Sequence, residues 1–250
     1  MANQEQLRLL TKSVENWNQW REQNPEIVPD LQNADLSYFD LSHANLNQAN
    51  LEQAILFHTN LSSACLENAN LSYANLTSAV CFKTVLFQAN LSHSLLINSD
   101  LSKANLREAN LSKAQIINAY LVNTNLVDAN LQETNLTHSY LTGANLTGAN
   151  LARAEICDAE LTATQINNIN ITTIIRNEDS IIPKVIEEIY PTVTEISKPV
   201  VNRQKSMLMV GDLVNSFKEE NSSCFSISEQ LKSLEILWIR TQLEALYHAS

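Results

Sequence analysis

The 250-residue sequence predicts a mainly β solenoid, in which the chain winds into coils that stack on one another. The first observation is a five-residue period, visible as LTGANLTGANLARA at residues 141–154. The second is a leucine at the centre of almost every repeat, and the third is a small residue two positions before it. Such repeats are typical of solenoids, in which each coil buries its apolar residues against its neighbours.

The repeat has no insertion between Leu31 and Ile171, and its 29 centres are 24 Leu, four Ile and Cys81. Two residues before the centres, from Ala34 to Ile169, the 28 positions hold 18 Ala, five Thr, three Ser, one Phe and one Ile. A period of five fits neither an α-helix nor a plain β-strand. On a helix, successive leucines would be rotated by about 140° from one repeat to the next, and on a strand they would lie on opposite faces. Each repeat is therefore predicted to combine a short extended piece with a turn, which the recurring Asn and Asp favour.

These features resemble the pentapeptide-repeat family, whose consensus is A-(D/N)-L-x-x, over residues 31–173. The lead-in SVENWNQWREQNPEIVPDL also resembles that of cyanobacterial members. The resemblance implies a right-handed quadrilateral β-helix with four repeats in each coil, a number that the period alone does not choose. The 29 repeats then give about seven coils and a rod roughly 34 Å long.

The N-terminal segment, residues 1–30, is predicted to be a helical cap, because open coils need covering. Leu7, Leu10, Val14 and Trp17 recur at helical spacing over residues 3–24. Pro25 and Pro29 then predict the end of the helix before the first coil. We expect Trp17 and Trp20 to be buried over that coil rather than to stack on a ligand.

The C-terminal segment, residues 174–250, loses the period and is predicted to be helical. Residues 181–190 predict a short helix, and 205–220 have a helical apolar pattern interrupted by Gly211. The strongest helix follows Ser226 and Glu229, which form a capping box. Its wide apolar face has these members: Ile227, Leu231, Leu234, Leu237, Trp238, Leu243, Leu246 and Tyr247. A helix with this face must pack on something: along the rod, over its end or on another subunit.

Four repeats per coil place residues 20 apart on one wall of the rod. The centre and the residue two before it are predicted to point inward, and the other three to point outward. The wall centred on Leu31 and its equivalents, here the asparagine wall, carries Asn immediately before each later centre. These residues are Asn50, Asn70, Asn90, Asn110, Asn130, Asn150 and Asn170. We interpret them as a structural ladder of stacked amides.

Two neighbouring walls carry large apolar residues at outward positions. The isoleucine wall, centred on Leu36 and its equivalents, carries Ile55, Phe57, Leu95, Ile97 and Ile117. The tyrosine wall, centred on Leu41 and its equivalents, carries Val80, Phe82, Tyr120, Val122 and Tyr140. The remaining valine wall adds Val85, Phe87 and Val127. The ten apolar residues named on the isoleucine and tyrosine walls form the candidate interaction surface, because monomers rarely leave large apolar patches bare. Either the C-terminal segment covers them, or a second subunit or another protein does.

No catalytic, cofactor-binding or metal-binding residues are predicted. His43, His58, His93 and His138 occupy outward positions, where isolated surface histidines are expected. Glu155, Asp158 and Glu160 are interpreted as a solvated acidic rim. The four cysteines have no metal-binding spacing, Cys81 is expected to be buried and inert, and three glycines do not make a phosphate loop.

The net charge of −11, from 27 acidic and 16 basic residues, argues against nucleic acid and anionic membranes as direct partners. We see no signal peptide and no apolar run near the roughly 20 residues of a membrane span, and expect a cytoplasmic protein with free thiols. The predicted function is a non-enzymatic scaffold for protein partners, including a second copy of the chain. The alternative is a DNA mimic acting on DNA gyrase or a related topoisomerase, as some members of the resembled family are. Only −6 of the charge falls in residues 31–173, without a continuous acidic ladder, which disfavours that alternative.

Overall fold

The structure, a computed structural model, describes residues 2–170 of the chain. Two helices, α1 (Gln4–Lys12) and α2 (Val14–Gln23), precede a regular series of turns and bridges. Within the described residues, β pairing consists of isolated parallel bridges rather than extended strands. The bridges join residues 20 apart, from Asp30↔Asn50 to Asn150↔Asn170. Four bridge positions lie in every 20 residues, so each coil has four walls of one repeat each.

Each repeat turns the chain through one corner. The turn begins at the centre, whose carbonyl accepts a hydrogen bond from the amide three residues later, as from Ala34 N to Leu31 O at 3.0 Å. The second residue after every centre from 33 to 168 has a positive φ, between 53° and 74°. This position holds two glycines and 26 other residues, none of them β-branched. Side chains that branch at Cβ tolerate this left-handed conformation poorly, so the corner selects residues without such a branch.

Adjacent coils are joined by three backbone hydrogen bonds per repeat. In the first repeat, Leu31 N donates to Asn50 O at 2.8 Å, and Asn33 N donates to Glu52 O at 2.9 Å. In the opposite direction, Asn50 N donates to Pro29 O at 2.8 Å. The same pattern recurs through the described coils, so the backbone polar groups on all four walls are paired along the rod axis.

The interior contains the repeat centres and the small residues that precede them. Every centre from Leu31 to Leu161 is at most 2% exposed. Five threonines at the small position donate their hydroxyls to a centre carbonyl of the preceding coil at 2.7–3.0 Å: Thr59, Thr84, Thr124, Thr134 and Thr164. The hydroxyls of these five threonines are thus satisfied within the interior. Phe39 departs from the predicted rule, because it occupies a small position but is 37% exposed. An aromatic ring is too large for the crowded corner.

The N-terminal segment contains two helices where the sequence predicted one. Ser13 separates them with an extended backbone, φ −166° and ψ 123°. Its amide still donates to Leu9 O at the end of α1, and its hydroxyl oxygen accepts from Asn16 N at the start of α2. A serine side chain competes for backbone groups in this way, which is why it caps a new helix instead of continuing the first.

The two helices satisfy the open backbone edge of the first coil. Gln6 accepts from Asp30 N at 2.7 Å, while Asn3 N donates to Asp30 O at 2.8 Å. On the valine wall, Asn45 N donates to Asn18 Oδ1, and Asn45 O accepts from Trp17 Nε1, both at 2.8 Å.

Trp17 is fully buried, which confirms its predicted burial, whereas Trp20 is only partly buried and packs against the core. The first coil is thus capped on the asparagine and valine walls. On the other two walls it presents Asp35 and Asp40, and charged edges of this kind discourage pairing with another chain. The predicted helices at 181–190, 205–220 and 226–247 lie outside the described residues.

The inward–outward alternation predicts opposite effects for two adjacent residues. Leu106→Ala empties part of the interior and should lower the free energy of unfolding by about 2–5 kcal/mol. Arg107→Ala removes a side chain at the surface and should change it by about 0.5 kcal/mol or less. Urea denaturation followed by circular dichroism measures both. Equal losses for the two variants would contradict the orientation of the repeat.

Candidate interaction surface

The asparagine wall is a continuous hydrogen-bonded ladder. Each Asn Nδ2 donates to the Oδ1 of the Asp or Asn one coil earlier, at distances from 2.9 Å to 3.5 Å. From Asn50 to Asn150, each Oδ1 also accepts the amide two residues later, which fixes the side chain against its own turn. The predicted structural role is confirmed. These amides are engaged with one another and with the backbone rather than available to a partner.

The isoleucine wall is apolar and largely withdrawn from solvent. Phe57 is 4% exposed, and its ring makes edge contacts with Tyr38 at 5.5 Å and His58 at 4.3 Å between centroids. Ile97 is 5% exposed although it occupies a nominally outward position. Leu95 and Ile117 are partly buried, whereas Ile55 is 42% exposed. Ile55 is therefore the most exposed of these five residues.

The tyrosine wall keeps its largest residues in solvent. Tyr120 and Tyr140 are 48% and 37% exposed, and their rings stack in parallel with centroids 5.0 Å apart. Val80, two coils before Tyr120, is 40% exposed. The bridges Val80↔Asp100, Asp100↔Tyr120 and Tyr120↔Tyr140 place these side chains in one column.

A second column on the tyrosine wall is apolar with a basic margin. Phe82 and Val122 occupy the position after the centre and are partly buried. Lys83 Nζ and Lys103 Nζ lie 5.3 Å and 5.6 Å from the centroid of the Phe82 ring, within the range of a cation–π contact. This wall therefore combines exposed tyrosines with a phenylalanine flanked by two ammonium groups.

The corners carry the charged groups, stacked 20 residues apart. His138 Nδ1 lies 3.2 Å from Asp158 Oδ2, a pairing that the sequence interpretation missed. At another corner Glu133 lies 3.9 Å from Lys113 and 3.7 Å from Arg153. The four histidines of the repeats all occupy the positive-φ position. Histidine is enriched in that conformation, so the corner geometry accounts for their recurrence.

His93 shows how these stacked corners affect ionisation. Its ring stacks on Tyr73 with centroids 4.6 Å apart. Burial lowers the pKa of His93, and the Lys113 ammonium lowers it further, against an opposing effect of the Glu133 carboxylate. Within residues 2–170, no group of three or more His, Cys, Asp or Glu side chains is arranged to hold a metal ion.

The geometry defines a class of protein: a four-walled β solenoid of five-residue repeats. The pentapeptide repeats family matches the chain in eight copies, over residues 30–72, 84–121 and 124–162. The chain belongs to the pentapeptide repeat family, which confirms the predicted resemblance. Members of this family are right-handed β-helices and generally structural or interaction proteins.

Several solved structures resemble the chain. HetL, a pentapeptide repeat protein involved in heterocyst differentiation regulation from the cyanobacterium Nostoc sp. strain PCC 7120, is 26% identical. That match covers 61% of this chain and 87% of HetL, with a TM-score of 0.33. QnrB1, a plasmid-mediated fluoroquinolone resistance protein, is 12% identical over 64% of this chain and 85% of its own, with a TM-score of 0.42.

A pentapeptide repeat protein of the Arabidopsis thaliana thylakoid lumen is 29% identical over 47% of this chain and 68% of its own, with a TM-score of 0.23. With TM-scores this low, these likenesses carry no information on the partner of this chain. No curated protein sequence matches the chain significantly. Among residues 2–170, no helix has the length and apolar character needed to cross a bilayer.

The interior cysteine predicts selective thiol chemistry. Cys81 replaces a central leucine and is fully buried, and burial raises the pKa of its thiol to about 12. Because the thiolate is the reactive form, Cys81 should resist iodoacetamide at pH 8 in the folded protein and react after denaturation. Mass spectrometry of digested peptides measures the labelling, with the denatured protein as control. Rapid modification of Cys81 in the folded protein would contradict its interior position.

Proposed function

We propose that the protein is a non-enzymatic scaffold for protein–protein interaction, a rod of about seven coils that presents its side walls to a partner. The observation that carries this proposal is the tyrosine wall. Val80, Tyr120 and Tyr140 remain 37–48% exposed in one column, although the fold does not need apolar residues at that position. The asparagine wall demonstrates this, since its equivalent positions are all polar.

The tyrosine wall has the properties of a protein-binding surface. Tyrosine is enriched among the residues that dominate interfaces, because it combines a large apolar ring with a polar tip. Tyr120 and Tyr140 are also held against each other by ring stacking on a rigid backbone. Less side-chain freedom is then lost on binding, which favours affinity. Lys83 and Lys103 add a basic margin that suits a partner with acidic groups beside an apolar patch.

The distribution of chemical groups supports a role without catalysis. The side chains of the corner pair His138–Asp158 are about one-third exposed, and Cys81 is buried with a raised pKa. A catalytic centre requires converging groups that exclude water. We place the protein in the cytoplasm, since Cys65 and Cys81 are free thiols and a reducing compartment maintains that state.

The proposal predicts that binding depends on the stacked tyrosines. The full-length variant Tyr120→Ser/Tyr140→Ser should capture at least tenfold less of the specific partner than the wild-type protein does. Central aromatic residues dominate interface energies, so their loss should weaken binding. Quantitative mass spectrometry of captured proteins, together with sedimentation analysis for binding of a second copy, gives the readout. Tyr73→Ser is the matched control, because Tyr73 is 53% exposed but lies at a corner of the asparagine wall. Unchanged capture and self-association by the double variant would refute the assignment of the tyrosine wall.

The alternative, a DNA mimic acting on DNA gyrase, has the net charge of −11 in its favour. Mimicry needs a regular acidic surface, whereas the tyrosine wall presents apolar rings beside Lys83 and Lys103. We therefore expect the full-length protein at equimolar ratio to leave gyrase supercoiling unchanged in a plasmid assay. Strong inhibition, or protection of gyrase from a quinolone, would reverse the ranking of the two functions.

A further inference from the structure

We propose that the tyrosine wall binds a second copy of this chain, with the two rods antiparallel and related by a two-fold axis between the coils of Asp100 and Tyr120. This inference rests on the proposed function and names the partner of the same wall. The axis lies in the interface and runs across both rods. It therefore sets each column of side chains opposite the same column of the partner and reverses the order of the coils.

The column before the centres has a step in side-chain size. Parallel bridges place its members in one row: Asp40, Asn60, Val80, Asp100, Tyr120, Tyr140 and Glu160. Tyr120 and Tyr140 carry exposed, stacked rings, whereas the side chains of Val80 and Asp100 are much shorter. The proposed axis sets Tyr120 against the partner's Asp100. It also sets Tyr140 against the partner's Val80, so each ring stack fills the low part of the facing wall.

The corner that ends the tyrosine wall has the opposite step. Its positive-φ residues, 20 apart, become shorter along the chain: Lys83, Lys103, Asn123 and Gly143. The same axis sets Lys83 against the partner's Gly143 and Lys103 against the partner's Asn123. A longer side chain thus meets a shorter one at each of these coils. Two separate columns therefore favour the same register.

The facing groups are also complementary in charge. Lys83 Nζ lies 5.3 Å from the centroid of the Phe82 ring, and the proposed register sets this ring against the partner's Thr142. Thr142 Oγ1 donates to Glu160 Oε1 at 2.9 Å. The register therefore brings the lysine ammonium towards a carboxylate of the partner, which favours association.

The facing tyrosine and aspartate suit each other as donor and acceptor. Asp100 Oδ1 accepts from Ser102 N at 2.9 Å. A carboxylate has acceptor sites for several donors, so Asp100 can also accept the hydroxyl of the partner's Tyr120. The two-fold axis generates this contact twice.

The neighbouring arrangements fit less well. An axis at the coil of Asp100 would set both Asp100 and Lys103 against their own copies, which places like charges together. An axis at the coil of Tyr120 would set the Tyr120 rings against each other and Val80 against Glu160. Parallel rods would set each coil against itself, so the tyrosine coils would meet while the shorter Asp100 coil faced a gap.

The spacing of the side chains favours another rod as the partner. Contact groups on this wall recur at one coil spacing, about 4.8 Å. Side chains on one face of an extended peptide are about 6.7 Å apart, and successive turns of a helix are about 5.4 Å apart. A second copy matches the spacing at every coil, over about 24 Å from the coil of Asn60 to that of Glu160. A single wall is a small interface, so we expect a reversible dimer.

Sedimentation of the full-length protein over about a hundredfold range of concentration measures this association. We expect a monomer–dimer equilibrium, and association at least about tenfold weaker in Val80→Lys and in Tyr140→Glu, because each introduces an unpaired charge. The double variant Val80→Lys/Tyr140→Glu should recover most of the lost affinity, since each lysine then faces a glutamate of the partner. Within one rod the two positions are three coils apart, about 14 Å. This distance exceeds the screening length of about 8 Å in physiological salt.

Val80→Lys/Tyr120→Glu is the matched control. It carries the same two charges, but its glutamate would face the partner's Asp100, so affinity should not recover. Circular dichroism establishes that each variant keeps the spectrum of the rod.

Recovery in both double variants or in neither would overturn the proposed arrangement, and so would a dimer that the single variants leave unchanged. A monomer at every concentration would also overturn it. The proposed function would still stand in that case if the wild type captured another protein that Tyr120→Ser/Tyr140→Ser did not.

Discussion

The fold depends on one recurring constraint: five residues must complete an extended piece and a corner, so that the leucine of each repeat returns to the interior. The corner is possible because the second residue after the centre takes a positive φ, and the hydrogen bond from the fourth residue to the centre carbonyl closes the turn. Parallel bridges between residues 20 apart then join the coils. Once interior leucines and backbone bonds supply the stability, the two positions that flank each centre are free to vary without loss of the fold.

This freedom explains why the walls differ so much. The asparagine wall uses the position before the centre for an amide ladder, in which Asn90 accepts from Asn110 and from the Ser92 amide. The tyrosine wall uses the same position for stacked rings. Neither choice disturbs the interior, where the centres keep at most 2% exposure up to Leu161. An apolar outer residue is therefore unexplained by folding alone, and this makes such residues informative about function.

The repeat, its inward positions and the asparagine ladder could be predicted from the sequence, because each follows from a strict period. The number of walls came from the family resemblance, and bridges 20 residues apart bear it out. Local chemistry was harder to foresee. The break at Ser13 depends on one serine capping a new helix, and the His138–Asp158 pair depends on stacking across coils. The absence of β-branched residues at the corner positions from 33 to 168 was a readable signal of their positive φ, since those residues tolerate that conformation poorly.

The first coil shows which surfaces of the rod remain open to partners. Gln6, Asn18 and Trp17 bind its backbone on two walls, so this end is closed by the helices of the same chain. Asp35 and Asp40 oppose extension of the sheet on the other two, because each places a carboxylate beside the edge. Partner binding at this end would have to displace hydrogen-bonded side chains. Binding along a wall requires no such exchange, since the wall backbone is already paired and only side chains project. The proposed function therefore assigns recognition to a side wall, with exposed rings such as Tyr120 as the proposed contact groups.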